Sequence, residues 1–475
     1  MKIFSRDEVY AALKNKIESG YYPVGSKLPS KKKLCGEFGI SDTPVRYALD
    51  LLEKDGLIEK TQGRAPIVKK LASDRKDELI SLRRETVVDI LSTREYFCTP
   101  LAVYGAALCR EEDWRRLTAI IGPIASDESD LSIWKRYRHF WRYFINKIGN
   151  DLINRTVDLL GVTQIYPLPQ PEAHKSLLKR YLENSLAQLK DGSFRPHPSG
   201  ESERSQALLG NIRYSAASDV ISADWPKGIS ERLSLDIRLS SVYLDILGKI
   251  SVGAYPKGGK LPSHKELCRI YGVSHNTTIQ AIGYLRGLGA VTSVRSKGIY
   301  INITPREADE IVLALDPKIT RRHFREYLNT LEALELTVKS VSRYAAKNVT
   351  VSEAEELRLR METHWHSGVD YLKTPVFLLD FIISHTFIKG LREIYEIYRL
   401  NFSYACSIPG LISHTRQRHN RQVYELSLEA VKSLCKDDKD LFSQQCETMF
   451  SYIRELICSE CNALGYMDTF KINRR

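Results

Sequence analysis

The sequence predicts a mainly α chain in which two winged helix-turn-helix domains (three helices plus a β-hairpin wing) alternate with two all-helical bundle domains. The first observation behind this is a repeat. The stretch Tyr22-Pro23-Val24-Gly25-Ser26-Lys27-Leu28-Pro29-Ser30-Lys31-Lys32-Lys33-Leu34-Cys35 returns 233 residues later as Tyr255-Pro256-Lys257-Gly258-Gly259-Lys260-Leu261-Pro262-Ser263-His264-Lys265-Glu266-Leu267-Cys268. A repeat of this length is a duplicated domain rather than a solenoid unit. The second is that each copy passes from helical to strand-like patterning within about 70 residues. The third is that a long stretch of helical period follows each copy, as in Leu79, Leu82, Val87, Ile90 and Leu91. The expected division is a winged domain at 1–73, a helical domain at 74–192, a linker at 193–235, a second winged domain at 236–304 and a second helical domain at 305–475.

Each element of the first module has a local cause. Val9, Ala12, Leu13 and Ile17 make an amphipathic stripe that Gly20 closes. Tyr22-Pro23-x-Gly25 is a turn, and Pro29-Ser30 starts a second helix that Gly39 ends. Ser41 stands where it can cap a third helix, and Pro44 is tolerated because it falls in the first turn, where N–H groups lack partners. Val45, Ala48, Leu49 and Leu52 are that helix's buried face, and Gly56 ends it. Residues 57–61 and 65–68 read as two short strands around Gln62-Gly63-Arg64, the wing. In such a module the third helix can enter the major groove and the hairpin tip can reach the backbone or minor groove.

Charge points the same way. The net charge is +12. Residues 1–73 hold 14 Lys/Arg against 9 Asp/Glu, and residues 231–305 hold 10 against 4, so 11 of the 12 net charges sit in the two small modules. That favours a polyanionic partner, most commonly nucleic acid, and with modules of this kind the expected partner is double-stranded DNA. The nine cysteines are scattered, which suits a reducing cytoplasm, and Cys458-x-x-Cys461 has no second pair at zinc spacing. His364-x-His366 reads as a solvent-facing helix or loop. No targeting or membrane-spanning segment is expected, since the most apolar run, Pro375 to Ile383, is too short and contains Asp380. Walker, Gly-x-Ser-x-Gly and zinc-protease motifs are absent, which argues against an enzyme.

The ordered run Gly25-Ser26-Lys27-Leu28-Pro29-Ser30, Lys32, Leu34, Gly39-Ile40-Ser41 and Gly63-Arg64 resembles the GntR family of bacterial transcription regulators. The second copy matches through Gly258-Gly259-Lys260-Leu261-Pro262-Ser263, Lys265, Leu267, Gly272-Val273-Ser274 and Ser296-Lys297-Gly298. The resemblance implies DNA contacts at Lys32, Thr43, Arg46, Gly63 and Arg64 in the first module, and at Lys265, His275, Asn276, Thr277, Lys297 and Gly298 in the second. There are departures. The family prefers Arg where Lys32 and Lys265 stand, Asp42 and His275 replace an Arg that opens the recognition helix, and Ile279 stands where copy one keeps Arg46. A carboxylate at Asp42 would repel phosphate unless it reads a cytosine amino group.

The resemblance further implies that the helical domains sense a small molecule. Arg94-Glu95-Tyr96-x-x-Thr99 recurs as Arg325-Glu326-Tyr327-x-x-Thr330, and the matching family Arg often faces the bundle cavity. Arg94 and Arg325 are therefore the candidate contacts to a small organic acid, with a salt bridge as the plainer role. Tyr137, Trp141, Thr374 and Leu378 stand where related proteins have metal ligands; they supply poor donors, so neither a metal nor a cofactor is expected. His139 is expected to be a partly buried neighbour. The aromatic residues Trp134, Tyr137, Phe140, Trp141, Tyr143 and Phe144 imply core packing, or else a subunit or half-to-half interface.

The resulting expectation is a cytoplasmic DNA-binding repressor, two fused copies acting as a single-chain pseudo-dimer under effector control. A homodimer of tandem chains fits the sequence too. The alternative is a protein-interaction scaffold whose recognition helices have decayed.

Overall fold

The computed structural model describes residues 9–69 (except 11–12, 15, 18–21, 23, 39–40 and 62–64), 89–122 (except 91), 130–159, 172–194, 238–315, 317–366, 374–405 and 416–463. The chain forms two compact units, residues 1–229 and 230–475. The wing tip Gly63-Arg64, the start of the first helical stretch around Leu79, Leu82 and Val87, and nearly all of the segment expected to link the halves lie outside the described residues.

In the first unit, helical residues Val9, Leu13 and Ile17 precede helices α1 (Lys31–Phe38) and α2 (Asp42–Lys54) and an antiparallel pair, β1 (Ile58–Glu59) and β2 (Ile67–Val68). The second unit repeats this with α8 (Arg238–Ser251), α9 (His264–Tyr271), α10 (His275–Gly287), β3 (Val291–Val294) and β4 (Gly298–Ile301). The strands of the first wing are shorter than expected. Pro66, which has no N–H to give a ladder, stands next to β2.

Each module has its own core, built from equivalent residues. Val9, Leu13, Ile17, Leu28, Leu34, Val45, Ala48, Leu49, Leu52, Leu57, Ile58 and Val68 are all buried. So is every residue 233 positions on, from Val242, Ile246 and Ile250 to Ala290, Val291 and Ile301. The strand-like approach to the wing is conserved bond for bond. Leu28 N–H donates to Pro66 O (2.8 Å) and Gly25 N–H to Val68 O (2.7 Å), while Leu261 N–H donates to Ile299 O (2.8 Å) and Gly258 N–H to Ile301 O (2.8 Å). Gly25 (φ +84°) and Gly258 (φ +81°) make this turn in the left-handed region, where glycine has no steric cost.

The caps differ, and one expectation needs correcting. Ser274 Oγ accepts the N–H of Thr277 (3.1 Å) at the start of α10. Ser41 occupies the same position before α2 but caps nothing with its side chain. The residue three positions after it is Pro44, which has no N–H to offer.

The first bundle comprises a π-helical turn (Arg94–Cys98) running into α3 (Thr99–Ala107), then α4 (Glu111–Ile121), α5 (Asp130–Ile148), α6 (Asp151–Leu159) and α7 (Glu172–Asp191). Tyr137, Phe140, Trp141, Tyr143 and Phe144 are buried within this bundle, so for these five side chains the core reading holds; the Trp134 side chain lies outside the described set. Helices α3 and α5 touch at Gly105, where a Cβ would stand 2.0 Å from the Phe144 carbonyl oxygen. Buried Asp113 on α4 accepts from Tyr143 (2.6 Å) and Lys147 (2.8 Å) on α5.

Helix α11 (Pro305–Ala314) packs onto the second winged module, with Ala308 and Val312 in that module's core, and the second bundle comprises α12 (Pro317–Ala346), α13 (Val351–His366), α14 (Thr374–Ser384), α15 (Lys389–Ala405), α16 (Arg416–Cys435) and α17 (Lys439–Ala463). Buried Arg454 on α17 pairs with Glu332 (3.0 Å) and Glu335 on α12. Pairing satisfies a charge that burial would otherwise make costly. His323 on α12 lies 2.6 Å from Ser240 on α8, linking the bundle to the winged module of its own unit. Among the described residues no helix is long and apolar enough to cross a membrane.

Candidate nucleic-acid interface

The third helix of each module is held by equivalent buried residues: Val45, Ala48, Leu49 and Leu52 in α2, and Thr278, Ala281, Ile282 and Leu285 in α10. With the inward face in common register, the outward faces are in register too. In α2 that face carries Asp42, Thr43 and Arg46, all exposed. Arg46 donates through Nη2 to Asp42 Oδ2 at 2.5 Å, one turn earlier on the same helix. Asp42 therefore has a third role that the sequence reading did not weigh: it holds a cation on its own helix. Lys32 is exposed on α1, flanked by Lys31 and Lys33, which are exposed as well. These two neighbours were missed; the run of three lysines at a helix start was the available signal.

In α10 the outward face carries His275, Asn276, Ile279 and Gln280, all exposed. Thr277 is half-buried, and its hydroxyl lies 2.8 Å from Ser274 Oγ within the cap. His275 meets His264, the first residue of α9, edge to face with ring centroids 5.4 Å apart. His264 Nδ1 lies 3.0 Å from Thr278 Oγ1. Partial burial, and then the neighbouring His275, lower the His264 pKa below the ordinary histidine value. Lys265 is exposed one residue on.

The second wing ends in a tight turn in which Lys297 N–H donates to Val294 O (3.0 Å) and Ser296 takes φ +63°. Lys297 is exposed, as is Arg295, a tip cation that sequence reasoning passed over. Gly298 sits differently. It has φ +128°, and a Cβ there would stand 2.5 Å from Lys260 Cε, so the glycine lets the Lys260 stem lie across the wing. Its place in the geometry is to shape the wing.

The two candidate effector residues are not equivalent. Arg94 is 5% exposed in the π-helical turn, its guanidinium 5.4 Å from the centre of the Tyr137 ring. Arg325 is half-buried on α12. Tyr137 and Leu378 are fully buried, with Trp141 and Thr374 nearly so. Among the described residues no group of three or more His, Cys, Asp or Glu is placed to share a metal ion. His139 is half-buried. His364 packs edge-on against Phe377 (5.0 Å), and Cys461 is buried.

Comparison with known proteins matches this picture. The family model for bacterial regulatory proteins of the gntR family fits residues 5–68 and again 239–301. An uncharacterized HTH-type transcriptional regulator, YdfD of Bacillus subtilis, is 43% identical over 56 residues, covering 12% of this chain and 12% of the relative. The Uxu operon regulator of Haemophilus influenzae is 28% identical, covering 23% of this chain and 41% of the relative. The Exu regulon transcriptional regulator of Escherichia coli is also 28% identical, covering 24% and 45%. The chain thus spans less than half the length of these three relatives. A solved GntR structure from Streptococcus agalactiae aligns with 46% of this chain and 99% of its own at 17% identity, but the TM-score of 0.22 is too low to bear on domain arrangement. The family model and these relatives carry the names of transcription regulators. The chain carries the DNA-binding domain of the gntR family of bacterial regulatory proteins twice over, as a tandem duplication.

Proposed function

We propose that this DNA-binding regulator engages one operator through both winged modules, and that its two modules prefer unequal half-sites. The observation that carries this reading is the common register of α2 and α10 combined with different exposed residues: Thr43 and Arg46 on one, His275 and Asn276 on the other. Lys32, Lys265, Lys297 and the wing residues Gly63 and Arg64 supply phosphate or groove contacts, Thr277 supports the helix start, and Gly298 shapes the second wing. Regulators with one such module work on near-palindromic sites as symmetric dimers. Fusion of two copies supplies both modules from one chain, as a pseudo-dimer, with 193–235 as the connection between 1–192 and 236–475.

The outcome of binding is repression, relieved or enforced by a small organic acid in the helical domains. Buried Arg94 beside Tyr137 supports this role better than half-buried Arg325 does. An effector can act only through a difference in affinity for two states of the protein. The exposed Ile279 favours a second reading, a protein-interaction scaffold. Salt separates the two: DNA binding weakens by about 0.9 log units in affinity per log unit of salt for each phosphate neutralised. The deciding experiment is selection of fragments from sheared genomic DNA by the full-length protein. An enriched motif with two unequal halves is the expected result. Absence of any enriched fragment, with and without metabolite extract, would overturn the proposal.

A further inference from the structure

We infer that Ile279 reads the methyl group of a thymine, so that the second module selects an A·T step where the first, through Arg46, is equipped for guanine. The inference rests on the reading that both modules bind DNA, and it names the base chemistry of one of them. Arg46 and Ile279 are 233 residues apart, at the same position on helices whose buried faces coincide residue for residue. The side chain of Arg46 is 63% exposed, and Ile279 as a residue is 47% exposed. A major-groove position therefore meets a guanidinium fork from one module and a branched hydrocarbon from the other. Guanine offers O6 and N7 to a fork, whereas an aliphatic side chain finds a complementary surface in the groove only at the C5-methyl of thymine.

The neighbours of Ile279 agree. Asn276 lies three residues earlier and Gln280 one residue later, both exposed. Asparagine and glutamine pair bidentately with adenine N6 and N7. No cation interrupts this face: across His275–Gly287 the only Lys or Arg is Arg286, in the last turn. In α2 the corresponding face holds the Asp42–Arg46 pair. Copy two thus has an apolar side chain where copy one has Arg46, and amides where copy one has Thr43 and Tyr47. Ile279 is free to serve this end because the core of its helix is built by Thr278, Ala281, Ile282 and Leu285.

The test uses the full-length protein and a random-sequence duplex library, selected in parallel by wild type, Ile279→Ala and Ile279→Arg. Wild type is expected to yield a motif with a fixed thymine in one half-site. Replacing that thymine by deoxyuridine, which removes only the methyl, should weaken wild-type binding about three- to tenfold and weaken Ile279→Ala binding less. Ile279→Arg should shift the preference at that position from thymine to guanine. A selected motif that is indifferent to deoxyuridine, or that Ile279→Ala leaves unaltered, would overturn the inference while leaving DNA binding intact. Failure of wild type to select any duplex would instead overturn the functional reading beneath it. Circular dichroism of both variants controls for folding.

Discussion

Arg46 is held by Asp42, one turn before it on α2, and no such pair exists on α10, where His275 and Ile279 stand at the equivalent positions. The pair is exposed, so it contributes little to stability. Its expected effect is on recognition: on the proposed reading, Asp42 orients the guanidinium and offsets its charge, leaving geometry rather than bulk attraction to act on DNA.

Asp42→Ala should therefore strengthen non-specific DNA binding and steepen its salt dependence by about one phosphate equivalent. Discrimination between the best site and random duplex should fall at the same time. Fluorescence anisotropy over a salt series measures both. Weaker non-specific binding by the variant would contradict the role given to Asp42.

The two third helices should respond differently to loss of their caps. Ser274→Ala removes a bond to the Thr277 N–H and should cost the second module about 1 kcal/mol, whereas Ser41→Ala removes no such bond and should cost a few tenths at most. Hydrogen exchange of the amides of α10 and α2 in the full chain reads the two effects separately. Equal losses would show that Ser41 caps α2 after all.

Gly298→Ala should deform the second wing. The residue keeps φ +128°, and its new Cβ would meet Lys260 Cε. A cost of about 1–3 kcal/mol is expected from the backbone strain. The change should show as faster exchange of the Ile299 and Ile301 amides, with DNA affinity reduced. An unperturbed wing would mean that the Lys260 stem moves aside without cost.

His264 should make the second module sensitive to acid. Its folded pKa lies below the ordinary value of 6.5, because of partial burial and then His275. A depressed folded value means that the neutral ring contributes stability above pH 6.5, and that this contribution is lost as pH falls through the folded pKa. The melting temperature of unit 230–475 should therefore drop between pH 7.5 and 5.5, and less so in His264→Gln. An identical pH profile for the variant would remove His264 from the account.

Much of this protein was legible without coordinates, because the relevant forces are local. The duplicated run from Tyr22 to Cys35, the left-handed turns at Gly25 and Gly258, and the periodic apolar residues of α2 and α10 each follow from short-range backbone preference and the 3.6-residue period. Even the failure of Ser41 as a cap was written in Pro44 three positions on, and the Asp42–Arg46 pair in their four-residue spacing. Tertiary structure decided what depends on residues distant in sequence. Arg94 meets Tyr137, Gly298 clears the stem of Lys260, and Gly105 lets α3 approach the backbone of Phe144. None of these pairs is within reach of a turn or a helical repeat. Each contact exists only after packing has brought two segments together at close-packed density, and no local pattern encodes which segments those will be.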